Sequence, residues 1–254
     1  KALSNYGAKS SLPSLWFYGE NDSYFDHPLA QQMQAAYQAG GGAAQLVAYG
    51  NFKNDAHGMV GSRDGVAVWL PATERFLRSI GEDPDRPGLI ETPARVTKAW
   101  KHWTSGYQQN PAEVMKAFED GAEDYNELIL VRNIPVYSHC EHHLAPFFGH
   151  AVIGYLPSGK IVGLSKLTRL MECFSKRLQV QERLTMQVAN ALMEVLEPRA
   201  VGVMIRCRHL CMESRGIRTT GEETVTSAML GQLQTNLAMR TEFLDLARED
   251  MGRW

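Results

Sequence analysis

The sequence has little of what marks secreted, membrane or nucleic-acid-binding proteins. Its 254 residues include only four cysteines, and the formal net charge is −2. No apolar run approaches the roughly 20 residues needed to span a bilayer, and no charged-then-apolar signal segment opens the chain. A start at Lys1 rather than Met indicates a fragment or a processed product. Because the charge is near zero, we expect a globular protein without nucleic-acid or membrane partners.

The four cysteines are Cys140, Cys173, Cys207 and Cys211. A secreted domain of this size could pair them as disulfides, but three of the four lie near histidines. We therefore expect a cytoplasmic protein whose free thiols, kept reduced there, serve metal binding or packing.

The chain divides into two unequal parts near residue 81. Before it, the pattern predicts strand, helix, strand and helix over 15–18, 28–38, 45–49 and about 66–80. The turn-rich stretch 81–88 then joins the two parts. A helix at about 92–104 follows, with Thr92 as its cap and Pro93 at the first helical position.

The second part combines strands with two long helices. Strands are predicted at 127–137, 147–156, 161–163 and around 201–205. Two apolar stripes predict the helices, the first formed by Leu167, Leu170, Met171, Phe174 and Leu178, and the second by Leu184, Val188, Leu192 and Val195. Strands, then a helical pair, then strands indicate an α+β protein rather than a parallel βαβ sheet.

Histidine and cysteine are concentrated at 139–143, which holds three of the eight histidines. Cys140 and His143 are three residues apart, so a turn could bring both to one metal ion. If extended geometry persists after the strand at 201–205, His209 and Cys211 point the same way, and Cys211 could supply a third ligand.

Cys140, His143 and Cys211 would form a Cys₂His site whose fourth position is left to water, as in catalytic zinc sites. Zinc can lower the pKa of a bound water to about 7. His142 and His209 would remain beside the metal, and histidine suits proton transfer near neutral pH.

Spacing alone leaves two other interpretations open. Cys140 and His143 could be packed core residues without a metal. Cys207 could instead supply a fourth ligand and complete a structural zinc site, although it lies within an apolar strand pattern. The sequence pattern around these residues therefore does not by itself decide among the three.

Further blocks carry a family resemblance. The chain resembles the GTP cyclohydrolase I family over about residues 76–248, with the order and spacing of its signature blocks kept. Those blocks are Cys140-Glu141-His142-His143, Gly163-Leu164-Ser165-Lys166, 179–185 (QVQERLT) and 209–216 (HLCMESRG), with supporting matches at 81–86, 91–96 and 224–229.

This resemblance implies a fold, an assembly and a reaction. The fold would be the tunnelling fold, an antiparallel sheet with a helical pair on one face. The assembly would be a homodecamer of two stacked pentamers with active sites between subunits. The reaction would be zinc-dependent conversion of GTP and water to 7,8-dihydroneopterin triphosphate and formate, the first step of tetrahydrofolate and pterin biosynthesis.

The resemblance also assigns residues. Zinc would be bound by Cys140, His143 and Cys211, and protons would be moved by His142 and His209.

A triphosphate site is expected where a helix begins near Ser165. Lys166 and Arg169 lie three residues apart on its first turn, and a helix N-terminus with two cations suits an anion. Lys98 and Arg215 resemble further phosphate contacts of the family. Outside the matched blocks, Lys166 and Arg169 would be read as a solvated helix face.

Guanine recognition is expected from Gln181 and Glu182. The carboxylate of Glu182 can accept hydrogen bonds from N1–H and the amino group of guanine, and Gln181 can pair with the base or the ribose. This pattern would reject adenine, because a buried carboxylate left unpaired is costly. Without the family context, Glu182 would be read as an exposed helix residue.

Residues 1 to about 70 resemble a different family, the end of an α/β-hydrolase of the dienelactone hydrolase type. The matching blocks are 15–22 (LWFYGEND) and 54–58 (NDAHG). Asp22 would be the triad acid and His57 the triad base of a vestigial site, since no Gly-x-Ser-x-Gly elbow precedes Asp22. We expect a partial hydrolase-like segment at 1–75 and a GTP cyclohydrolase I domain at 76–254.

Three other functions are alternatives to the conversion of GTP. The chain could be a non-catalytic scaffold that keeps the zinc and GTP sites, an esterase-like hydrolase, or a related tunnelling-fold enzyme with another purine or pterin substrate. The intact ligand and histidine set argues against the first, and the missing nucleophile against the second. The combination of Gln181 and Glu182 with the zinc blocks favours GTP over the third.

Overall fold

The computed structural model describes residues 2–9, 14–22, 27–48, 50–51, 53–54, 66–118 and 125–248. The chain forms two compact units, Lys1–His102 and Trp103–Trp254. Among the described residues, no helix combines the length and the apolar character needed to cross a membrane.

The first unit contains a pair of parallel strands. They are β1 (Ser14–Tyr18) and β2 (Ala44–Ala48), with Trp16 opposite Leu46. The helices are α1 (Ala2–Lys9), α2 (His27–Ala39), α3 (Val66–Ser79) and α4 (Thr92–Trp103). Since parallel strands need a crossover, α2 between β1 and β2 provides the connection. The predicted order of strand, helix, strand and helix is confirmed, and α1 precedes it.

The proposed hydrolase origin of this segment is untested. Asp22 lies just after β1, beyond a turn in which Glu20 N–H donates to Gly50 O at 2.9 Å. His57 lies outside the described residues. The vestigial pair and the division of the chain at residue 75 therefore stay predictions.

The second unit contains short elements and long ones. The strands are β3 (Ala117–Phe118), β4 (Ile129–Cys140), β5 (Pro146–Leu156), β6 (Ile161–Val162), β7 (Leu178–Gln179), β8 (Ala200–His209) and β9 (Thr224–Gly231). The helices are α5 (Pro111–Val114), α6 (Leu164–Ser175), α7 (Gln181–Leu196), α8 (Leu210–Glu213), α9 (Gln232–Thr235) and α10 (Leu237–Arg248), with a 3₁₀ turn at Ser105–Gln108.

A five-stranded sheet organises this unit, in the order β7-β4-β5-β8-β9. Its neighbouring strands are antiparallel, except that the short β7 pairs in parallel with the end of β4. The α+β class and the mainly antiparallel sheet predicted from sequence are confirmed.

One face of the sheet is covered by α6 and α7. Both predicted apolar stripes are buried over most of their length, as Leu167, Leu170, Met171 and Phe174 on α6 and Leu184, Val188 and Leu192 on α7. The prediction that Leu178 continues the first helix is wrong. The helix ends at Ser175, and Leu178 instead pairs with His139 as part of β7.

The opposite face is covered by α10, which the sequence patterns did not predict. Phe243 on this helix is fully buried with Val152 and Met204 of the sheet. A Cβ at Gly202 would lie 2.6 Å from the Phe243 ring, and a Cβ at Gly154 would lie 3.0 Å from it. The two glycines therefore allow the aromatic ring to approach the sheet closely.

The register of the sheet places three chain segments at one end. Ser138 of β4 lies opposite Phe147 of β5, and Phe147 lies opposite His209 of β8. Because β4 ends at Cys140 and β8 ends at His209, the loop after β4 and the residues after β8 meet at this edge. The candidate site lies here.

Candidate metal and catalytic site

Cys140 and His143 are brought together by the tight loop between β4 and β5. The Cys140 carbonyl accepts hydrogen bonds from His143 N–H at 3.4 Å and Leu144 N–H at 2.8 Å, and Cys140 N–H donates to Ala145 O at 2.9 Å. Leu144 adopts a left-handed φ of 54°, a conformation that non-glycine residues rarely use. The loop therefore folds back within five residues and presents both side chains on one side.

Cys211 reaches the same place from the end of β8. Extended geometry, the condition under which His209 and Cys211 would point the same way, does not persist to residue 211, because the strand stops at His209 and α8 begins at Leu210. Ser214 N–H closes this turn by donating to Leu210 O at 3.0 Å. The helical turn nevertheless brings the donor atoms of Cys140, His143 and Cys211 within 4.8 Å of one another.

The donor geometry fits zinc. Tetrahedral coordination with ordinary Zn–S and Zn–N bonds separates a sulfur from a nitrogen by about 3.6 Å. Cys140 Sγ lies 3.7 Å from His143 Nδ1 and also 3.7 Å from His142 Nδ1, and of these two histidines it is His143 that joins Cys140 and Cys211 in one group. Neither Cys140 nor Cys211 is in a disulfide, and two thiols with one imidazole suit a borderline-soft ion such as zinc.

The electrostatics of the group also favour a bound cation. Burial raises the pKa of the Cys211 thiol, the adjacent Cys140 raises it further, and Arg215 lowers it. Burial lowers the pKa of His143, as do Arg215 and His142. A cation at the centre of the group would stabilise the thiolates and offset the repulsion between them.

Cys207 does not join this group. It lies fully buried on β8 opposite Gly149, where burial raises its pKa to about 12. Among the described residues, the metal-type group contains no fourth cysteine or histidine. The structural-zinc interpretation that used Cys207 therefore finds no support among the described residues.

His209 is held beside the group by two contacts. Its ring stacks on Phe147 with a centroid separation of 4.7 Å and an interplanar angle of 8°. Its Nε2 lies 2.8 Å from Gln181 Oε1. Burial lowers the pKa of His209, whereas the charge of Glu182 raises it. Glu182 therefore lies within electrostatic reach of the imidazole.

The loop between β4 and β5, residues 141–145, is called the metal loop. It is anchored by an ion pair that was not predicted from the sequence. Arg183 of α7 pairs with the carboxylate of Glu141, and its Nε donates to Gln179 Oε1 at 3.2 Å. Glu141 N–H donates to Gln179 O at 3.0 Å. Both charged residues lie inside the signature blocks, and this position in the sequence is the signal that could have identified them. The anchor ties the residue after Cys140 to β7 and α7.

The other predicted site residues lie on several elements of the two units. Gln181 is buried, and Glu182 is exposed in the first turn of α7. His142 is exposed in the metal loop. The predicted phosphate contacts are Ser165, Lys166 and Arg169 on α6, Arg215 after α8, and Lys98 on α4 in the first unit.

Removing one candidate ligand should release zinc. We expect about one zinc per chain for the unaltered protein and less than about 0.2 for Cys211→Ala, because two remaining ligands bind weakly. Elemental analysis after dialysis against a weak chelator measures the retained metal. Cys207→Ala is the matched control and should keep its zinc. Equal zinc in both variants would contradict the assignment of the ligands.

Residues 71–248 match the GTP cyclohydrolase I family. A curated GTP cyclohydrolase 1 from Janthinobacterium sp. (strain Marseille) is 74% identical over 175 residues, which cover 69% of this chain and 88% of that protein. The GTP cyclohydrolase 1 of Nitrosospira multiformis is 69% identical over 186 residues, covering 73% and 95%. That of Corynebacterium glutamicum is 54% identical over 180 residues, covering 70% and 90%.

A solved structure, archaeosine synthase QueF-Like in the apo form, matches with a TM-score of 0.34 and 16% identity over 41% of this chain. This similarity is too low to support a conclusion. The family match, by contrast, contains the metal loop, α6, α7 and the turn after β8, and it leaves the hydrolase-like resemblance of the preceding residues untested. On this match and the identity of its relatives, the chain belongs to the GTP cyclohydrolase I family.

Proposed function

We propose that this chain hydrolyses and rearranges GTP to 7,8-dihydroneopterin triphosphate with release of formate, the first step of tetrahydrofolate and pterin biosynthesis. The observation that carries the proposal is the meeting of Cys140, His143 and Cys211 within 4.8 Å at an edge that also holds His209. Relatives named GTP cyclohydrolase 1 are 74% and 69% identical to it. Free cysteines suit the cytoplasmic location expected from sequence.

The three ligands would hold zinc at the edge of the sheet. When bound there, zinc supplies a Lewis acid that makes water nucleophilic at neutral pH. Cys140 is buried at the strand end and His143 is exposed, so the group faces both the core and the solvent. The position suits a reaction that consumes water.

The two remaining histidines would move protons. Water adds to C8 of the guanine ring, and His209 donates a proton to the ring nitrogen that leaves C8. A second hydration, with His142 moving the proton, releases C8 as formate. The ribose then opens, rearranges and closes onto the diamine to form the pterin.

Substrate binding would use the first turns of α6 and α7. Glu182 would accept hydrogen bonds from N1–H and the amino group of guanine, and its influence on His209 supports a place near the reacting ring. Ser165 and Lys166 lie in the first turn of α6, where the helix dipole favours anions.

Arg169 and Arg215 would add positive charge for the triphosphate, and the phosphate contact of Lys98, which lies in the first unit, stays a prediction from the family resemblance. The charge of Arg215 lowers the pKa of Cys211 and of His143, which supports a place for this cation close to the proposed metal ligands.

We also propose the tunnelling fold and a homodecameric ring. The antiparallel sheet with α6 and α7 on one face supports that fold. Within the described residues, β9 and most of β4 pair with a strand on one side only. Such edges are templates for pairing with another chain, and they support closure of several copies into a ring.

The ring can be tested by its mass. Ten chains of 28.4 kDa give about 284 kDa, and light scattering behind a sizing column should report this value for the zinc-loaded protein. A monomer or dimer at micromolar concentration would refute the decamer.

Replacing His209 should slow the opening of the guanine imidazole ring and so stall pterin formation, with some ring opening still measurable. His209→Ala should lower pterin formation by about 10²- to 10⁴-fold, the range for loss of a general acid or base. Pterin fluorescence measures the product, formate is quantified alongside, and mass spectrometry detects the ring-opened intermediate.

His150→Ala is the control for His209→Ala, because His150 lies on β5 and has no assigned role. Full turnover by His209→Ala would remove its catalytic role. No product from the unaltered, zinc-loaded decamer would favour a non-catalytic scaffold.

Glu182 should control affinity for guanine. Glu182→Gln loses a charge-assisted hydrogen bond of about 1.5–3 kcal/mol, so KM for GTP should rise about 10- to 100-fold with a smaller change in kcat. Steady-state kinetics with GTP measures both constants. Glu194→Gln on the exposed face of the same helix is the control, and an equal effect there would contradict the assignment.

A further inference from the structure

A buried glutamine, Gln181, contacts both His209 and strands β8 and β9 of the sheet. Gln181 begins α7 and is only 2% exposed, although the next residue is exposed. Its Nε2 lies within hydrogen-bond distance of acceptors on β8 and β9, and its Oε1 lies within hydrogen-bond distance of His209. A side chain committed in this way is poorly placed to pair with a substrate.

The nitrogen end of the Gln181 amide is fixed by three acceptors. Nε2 lies 3.1 Å from Ile205 O, 2.9 Å from Thr224 O and 3.1 Å from Thr226 Oγ1. If the amide were flipped, its oxygen would face two backbone carbonyls that can only accept hydrogen bonds. The amide therefore has one orientation that the surroundings allow.

Two threonines reinforce this orientation. Thr185 donates its hydroxyl hydrogen to Gln181 O at 2.7 Å, so it can only accept from Thr226, whose oxygen is 2.7 Å away. Thr226 thus donates to Thr185 and keeps a lone pair for Gln181 Nε2. The donors therefore follow one order, from Gln181 Nε2 to Thr226, from Thr226 to Thr185, and from Thr185 to Gln181 O.

The consequence reaches His209. Because Nε2 of Gln181 points to the sheet, Oε1 faces His209 Nε2 at 2.8 Å, and a carbonyl oxygen can only accept. His209 must therefore carry a hydrogen on Nε2. Stacking on Phe147 holds the plane of the same ring.

We propose that Gln181 is a positioning residue that fixes the ring orientation and tautomer of His209, with the hydrogen on Nε2. The side chain of Gln181 is then not the contact to the base or the ribose that the family resemblance suggested. This inference rests on the proposed function of the same site.

Gln181→Met tests the proposal because methionine matches the length of glutamine but offers no comparable hydrogen bond. We expect kcat to fall about 10²-fold or more, as in other enzymes when a catalytic histidine loses the hydrogen-bond partner that fixes its tautomer. KM for GTP should change less than about threefold, and zinc content should not change. A raised KM with unchanged kcat would overturn the proposal and restore the substrate contact.

Gln187→Met is the matched control. Gln187 lies on the same helix and accepts a hydrogen bond from Gln179 Nε2 at 2.8 Å, away from His209. Its kcat and KM should stay within about twofold of the unaltered protein. Thr226→Val is a second variant that keeps Gln181 but removes one of its acceptors, and it should lower kcat severalfold at constant KM. An equal loss of kcat in Gln187→Met would overturn the proposal.

Crystal structures of the zinc-loaded protein separate this proposal from the proposed function, because they need no turnover. The unaltered protein should show Gln181 Oε1 within hydrogen-bond distance of His209 Nε2. In Gln181→Met the imidazole should rotate or occupy two orientations. An unchanged, single orientation in that variant would refute the positioning role even if GTP is converted. Absence of turnover with the expected ring rotation would refute only the reaction.

Discussion

The antiparallel register of β4, β5 and β8 is the constraint on which the site depends. Phe147 lies opposite Ser138 on one side and His209 on the other, so one residue of β5 aligns the ends of two strands. The chain then leaves β4 through the metal loop and leaves β8 through α8 at the same edge. A shift of two residues in either pairing would separate Cys140 from Cys211, and a shift of one would also turn each side chain to the opposite face.

Local patterns predicted most elements, and tertiary contacts explain what they missed. Helix periodicity located α6 and α7, and alternation located β8, because each buries one face in the core. The patterns did not predict α10, whose place depends on glycines distant in sequence that admit Phe243. Leu178 fitted the periodicity of α6, but pairing with β4 determined its state.

The residue types that form the site could be predicted from the sequence more readily than the contacts between them. Cysteine and histidine at short spacing indicated the metal-type group, and the helical turn at Cys211 replaced the strand geometry that was assumed. No sequence pattern could show that Gln181 is enclosed, since its neighbour Glu182 is exposed and its partners lie on β8 and β9. The ion pair of Glu141 with Arg183 joins residues 42 positions apart and depends on the same assembly.

The packing of α10 has a consequence for biosynthesis. This helix follows every strand of the sheet along the chain, so Val152 and Met204 find their cover only after the strands themselves have been synthesised. At about 5–20 residues per second, the ribosome needs several seconds to pass from β5 to α10. Until Phe243 has emerged, Val152 and Met204 lack this cover, and transiently exposed apolar surface of this kind makes incompletely folded chains prone to aggregate.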